Sequence, residues 1–229
     1  KFAGIDLRVD GSAGFGASFV LRSPAPESLS VSFKGWTVDV VRGLKAVIAR
    51  GRDGDGRQAA FELGLEIANC GLDLLCTTWS GRHVIENAGE DHLVWWPDQA
   101  SGGLRLAARA EVTTEAHSGA AGVAVNVIEG DQRPQAAPPE RKWHQSYRYF
   151  RVSNTTHDLH DAYRNGFLAL ESLLHHIAPQ GNRREGKWFR WAMGVADSHI
   201  DLARELRPDS RKFLDDLCDE LYKENRNAI

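Results

Sequence analysis

Between Thr155 and Ile177 the chain reads TTHDLHDAYRNGFLALESLLHHI, with Leu159, Tyr163, Gly166, Phe167, Leu170, Leu173, Leu174 and Ile177 recurring at intervals of three and four. At about 100° per residue these positions fall into one broad apolar stripe, the pattern of a helix packed on a core. Asn154 or Thr155 is suited to cap its start, and Pro179 lies just past its end. The opposite face carries His157, Asp161, Arg164, Glu171 and His175, with Leu168 among them. Two further helices are expected near residues 185–199 and 209–224, the second opening at Asp209 after Pro208. The second part of the chain therefore reads as all-helical.

The first part reads differently. Short apolar runs at residues 2–7, 15–21, 29–33, 36–41 and 44–48 are separated by Gly11, Ser12, Gly14, Pro24, Pro26 and Gly43, which predicts strands and turns. Further strands are expected at residues 83–85, 92–96, 104–113 and 122–128, with alternation at Leu104, Leu106, Ala108 and Ala110 predicting one buried and one wet face. Between the two sets, residues 57–78 read as a long helix. Ala60, Leu63, Gly64, Ile67, Gly71 and Leu74 line one side of it, and Phe61, Leu65, Ala68 and Leu72 the other. Apolar on both sides, it belongs in the interior, between the sheet and a helical layer. The tract from Gly130 to Pro139, with Pro134, Pro138 and Pro139, reads as a linker. The fold class is α+β. A β-rich domain over residues 1–133, with its one buried helix, is joined by a linker at 134–142 to a helical domain at 143–229 on which it packs.

Composition narrows the function classes. The net charge of −3 is slightly positive after Arg141 and negative before it, which does not favour non-specific duplex binding. Three sparse cysteines, Cys70, Cys76 and Cys218, have no CxxC spacing and read as reduced thiols of a cytoplasmic protein. No apolar run reaches the roughly 18 residues of a membrane span, and no signal peptide is expected. The chain opens at Lys1 and stops at Ile229, and both ends read as trimmed.

Few motifs carry chemistry. Gly11, Gly14 and Gly16 lie between short strands and suit a hairpin better than a phosphate loop, and the polar loop from Gly51 to Gly56 lacks the downstream acidic ligand of a calcium site. His157 and Asp161 stand at i,i+4, but Arg164 beside them disfavours a cation, so no metal and no cofactor is expected. Two stretches interleave cations with aromatics: Arg141, Lys142, Trp143, Tyr147, Arg148, Tyr149, Phe150 and Arg151, and then Arg183, Arg184, Lys187, Trp188, Phe189, Arg190 and Trp191. Single-stranded RNA is held by this chemistry, with arginine on phosphate and bases on aromatic faces. The same residues also suit aromatics anchored in a core beneath an arginine rim. Trp95 and Trp96, adjacent on a strand, suit either a ligand wall or one core ring beside one at the seam between the halves.

From Tyr149-Phe150-Arg151-Val152-Ser153 through Asp158-Leu159, Asp161-Ala162-Tyr163-Arg164-Asn165 and Leu168-Ala169-Leu170-Glu171-Ser172-Leu173-Leu174, the chain resembles MauJ-type proteins of methylamine-utilisation clusters. Their helical part is similar to the HEPN domain, a bundle found in many RNA-cleaving toxins. The resemblance is firmest over residues 145–229 and implies that the helical domain is an all-α HEPN-like bundle. HEPN ribonucleases carry an arginine, a polar residue and then a histidine. Arg226-Asn227 matches the opening of that motif, and the histidine would fall near position 231, beyond the chain. The resemblance also implies a homodimer.

Three functions follow, in order. The first is a non-catalytic accessory protein binding RNA or a small molecule through Arg148, Arg151, Arg164, Glu171, Lys187, Arg190, Trp95 and Trp96. The second is a metal-independent ribonuclease acting through Arg226 and Asn227. The third is a structural partner that dimerises through its helices.

Overall fold

The computed structural model describes residues 14–51, 56–77, 91–98, 100, 104–109, 140–206 and 213–227. It is a mixed α+β architecture, divided into two compact units at Trp143/His144. The expected strands at 2–7, 83–85 and 122–128, the linker at 130–139 and the Asp209 cap lie outside the described residues.

In the first unit, strands β1 (Phe15–Val20), β2 (Leu29–Phe33), β3 (Trp36–Val40), β4 (Ala46–Gly51), β5 (His92–Pro97) and β6 (Leu104–Arg109) form one sheet in the order β2-β3-β4-β1-β5-β6. Every neighbouring pair is antiparallel. Lys34 and Gly35 join β2 to β3 with φ of 50° and 74°, two left-handed residues in succession. That geometry matches the twist of a tight hairpin and pairs Phe33 with Trp36. Strand β3, expected as a short apolar run, alternates, with Trp36, Val38 and Val40 buried. The alternation expected from Leu104 onward is not realised in β6: Leu106 is 41% exposed and Ala108 is exposed too, on a strand that borders the sheet among the described residues.

Helix α1 (Gly56–Cys76) lies across one sheet face and touches β1 to β5. Two glycines set how close it comes. Gly64 sits on Ala17 of β1 and Gly71 on Val38 of β3, and Phe61 meets Phe19 with ring centroids 6.0 Å apart. The other side of α1 is covered in part by residues of this same unit. Glu140 bridges to Ser32, Arg141 Nη1 and Nη2 donate to the Leu74 carbonyl (3.2 Å) and to Thr77 Oγ1 (3.1 Å), and Trp143 Nε1 donates to Asp73 Oδ2 at 2.9 Å. Glu140 and Arg141, expected in a linker, are thus stitched to β2 and to the carbonyl end of α1, where a guanidinium is favoured by the helix dipole.

In the second unit, α2 (Gln145–Thr155), α3 (Leu159–Ile177), α4 (Glu185–Ile200), α5 (Leu202–Leu206) and α6 (Phe213–Asn227) pack together, chiefly α2 on α3, α3 on α4 and α4 on α6. The central helix starts later than expected. Asp158, not Asn154 or Thr155, caps it by accepting from the Asp161 amide at 2.9 Å. Asn154 and Thr155 instead end α2 and bond back to the carbonyls of Phe150, Arg151 and Val152. The core joins Leu174, Ala178, Trp188, Phe189, Ala192, Met193 and Cys218, with Phe167 and Leu170 packed against it. Leu159 departs from the expected stripe at 84% exposure, since α3 enters this core only from Phe167 onward. Leu173 and Ile177 are also open, at 42% and 41%. Among the described residues, no helix is long and apolar enough to cross a membrane.

Candidate functional site

Helix α4 divides its residues cleanly between two faces. Trp188, Phe189, Ala192 and Met193 enter the core, and Arg184, Lys187, Arg190 and Trp191 stay outside. The outer residues, with Gly186, Cys218 and Asp219, line an open groove of ≈ 620 Å³ between α4 and α6. Trp191 is 39% exposed, and the Arg183 guanidinium lies over its ring, 3.8 Å from the centroid. Arg190 is held from α6, donating from Nη2 to Asp219 Oδ1 with Nε 3.6 Å from Asp215 Oδ1. Arg184 and Lys187 are in no ion pair with a described residue.

The groove begins at the start of α4. Arg184 takes the N-cap position in an extended conformation and makes no side-chain cap bond, so the first amides of α4 lack that partner, beside the cations Arg184 and Lys187 and the first-turn carboxylate Glu185. Such an end favours anions, through its amides and its dipole together. The floor is inert. Burial pushes the Cys218 thiol up to about 11, against a smaller pull from Arg190, so at neutral pH it stands as the neutral thiol.

No protein-family model, curated protein or solved structure matches the chain.

The groove gathers two of the binding residues predicted from sequence, Lys187 and Arg190, and leaves the others apart. Arg151 is 1% exposed inside the helical unit and offers no open face to a strand. Arg148 and Arg164 are exposed, on α2 and α3. Trp95 is 2% exposed, packed with Ala46 and Ile48 and over Gly16, so it belongs to the core and is no ligand wall; Trp96 is half-buried. Trp188 and Phe189 are core anchors, as the arginine-rim alternative has it. Arg226 and Asn227 lie in the last turns of α6, and their side chains fall outside what is described. Arg184, Trp191 and Asp219 of the groove, and Asp215 beside Arg190, are not among the predicted binding residues. The signal for the first two is their i, i+3, i+7 spacing through Lys187, out of phase with the core residues.

Two other clusters bear on chemistry. Asp158, His160 and Asp161 bring ligand atoms within 4.8 Å of one another, but all three are exposed and Asp158 is engaged as the α3 cap. His157 is not among them.

The other cluster is ionisable. His144 Nδ1 accepts from the Ser146 amide to cap α2, and its ring lies 4.8 Å from that of His176. His175 stacks on Trp188 at 3.9 Å. Burial first, and then His176, hold His144 below its ordinary 6.5. Glu171, half-buried, is raised by burial; His175 opposes the rise and Glu185 adds to it. Because the unfolded chain protonates His144 more readily than the native one, acid favours unfolding. The helical unit is therefore expected to lose stability as pH falls through about 6.5, toward the lower native value. Urea midpoints followed by far-UV ellipticity will show this as a decline that His176→Gln makes shallower. A midpoint unchanged across that interval would contradict it.

Proposed function

We propose that the protein is a cytoplasmic, non-catalytic accessory protein that binds single-stranded RNA in the groove between α4 and α6. One observation carries the reading: two cations free of described ion pairs, Arg184 and Lys187, converge with the half-open Trp191 on a groove at an uncapped helix end. Phosphates would lie on the cations and the α4 amides, and a base against the Trp191–Arg183 stack. RNA is favoured over an apolar small molecule because cations line the groove. We assign the helical unit to the HEPN-like, MauJ-type class that its α3 sequence resembles. The open Leu159, Leu173 and Ile177 on α3 support the homodimer implied by that assignment.

Fluorescence anisotropy with a short labelled oligouridylate tests the reading. Replacing Arg184 and Lys187 together by alanine should lower the salt dependence by about 1.4 in log–log slope, roughly 0.7 for each phosphate left without its cation. Trp191→Ala should weaken binding about ten-fold, within the stacking range of about 1–3 kcal/mol. Intact RNA after prolonged incubation is expected on this reading, whereas cleavage abolished by Arg226→Ala would favour the ribonuclease. Binding that ignores all three groove substitutions would refute the assignment of the site.

A further inference from the structure

The groove contains a third cation that is already occupied. Arg190 stands one turn from Lys187 on the outer face of α4, where a phosphate lying along Arg184 and Lys187 would next meet a guanidinium. It is instead clasped by Asp219 and approached by Asp215, which lie one turn apart on α6. Asp219 also lines the groove. A carboxylate oxygen on a guanidinium makes the same charge-assisted contact as a phosphate oxygen, and here Asp219 and Asp215 each present Oδ1. All three side chains are more than half exposed, so the pair is maintained in water and contributes little to folding.

We propose that Arg190 is a third phosphate position of the groove that α6 keeps filled with its own carboxylates, so that an RNA backbone gains it only by exchange. The proposal rests on the RNA reading above and adds a built-in restraint to it. Asp215 and Asp219 lower the affinity of the groove, and whatever neutralises or displaces them raises it. Exchange is possible because the clasp is solvent-exposed and because a strand held on Arg184 and Lys187 presents its next phosphate at high effective concentration.

The test is a double-mutant cycle in the full chain, with the same labelled oligouridylate. Asp215→Asn with Asp219→Asn should tighten binding about five-fold, the order expected for releasing two exposed ion pairs. The salt slope should steepen by about 0.7 as one more phosphate is engaged. Arg190→Ala added to that pair should abolish both gains. If the gains persist without Arg190, the carboxylates act only through long-range repulsion and the exchange is wrong. No tightening from the paired asparagines, with the salt slope still lowered on removing Arg184 and Lys187, would overturn the exchange and leave the RNA reading standing. Absence of binding in every variant would overturn both. Asp219→Asn alone, expected to show a smaller gain of the same sign, guards against a helix perturbed by two changes.

Discussion

Replacing Trp188 by alanine is expected to destabilise the helical unit by about 3–5 kcal/mol, as large-to-small changes at a packed aromatic do. Trp188 is fully buried, stacked on His175 and edge-on to Phe189. Its Nε1 donates to the Ala178 carbonyl at 2.7 Å, just past the end of α3, so one side chain both fills the core and closes a helix terminus. Trp188→Phe separates these roles. It keeps a ring in the core but leaves the buried carbonyl without its indole donor, a loss of about 1–3 kcal/mol. Urea unfolding followed by far-UV ellipticity measures both. An alanine variant within about 1 kcal/mol of wild type would mean that this residue does not anchor the bundle.

The second large effect belongs to the sheet unit and turns on a sign. Glycine to alanine inside a helix ordinarily stabilises by up to about 1 kcal/mol. At Gly71 the added Cβ would fall 2.5–2.7 Å from Val38 side-chain atoms, and at Gly64 2.5 Å from the Ala17 Cβ. Carbon atoms pack best at roughly 3.5–4.0 Å, so α1 would have to lift from the sheet. Overpacking of this kind costs about 1–3 kcal/mol and outweighs the propensity gain, so both substitutions should destabilise. Gly194 on α4, where a Cβ meets nothing within 4 Å, should respond in the opposite direction. If Gly71→Ala raised the midpoint as Gly194→Ala does, the close approach of α1 to β3 would be in error.

Periodicity made the interior of α3 legible, and an apolar run between turn residues did the same for β3. The start of α3 was not legible, because Asn154, Thr155 and Asp158 are all good caps within five positions. The choice among them is made by α2. That helix has no clean apolar stripe and is stabilised by packing on α3, a term that local sequence does not display. Composition likewise pools Arg151 with Arg148, yet one is buried and the other exposed. The α4 half of the groove could be read from spacing. Its α6 half could not, because Arg190 and Asp219 are 29 residues apart and nothing local in the sequence relates them.

The stitching of residues 140–143 onto β2 and α1 bears on how the protein can be divided. A cut in the proline-rich tract before Glu140 would carry away the neighbour of Ser32, the arginine at the carbonyl end of α1 and an indole donor to the wholly enclosed Asp73. The sheet unit then loses a bridge along β2 and the fastening at the end of α1 at once. Severing after Trp143 keeps these contacts within the sheet unit.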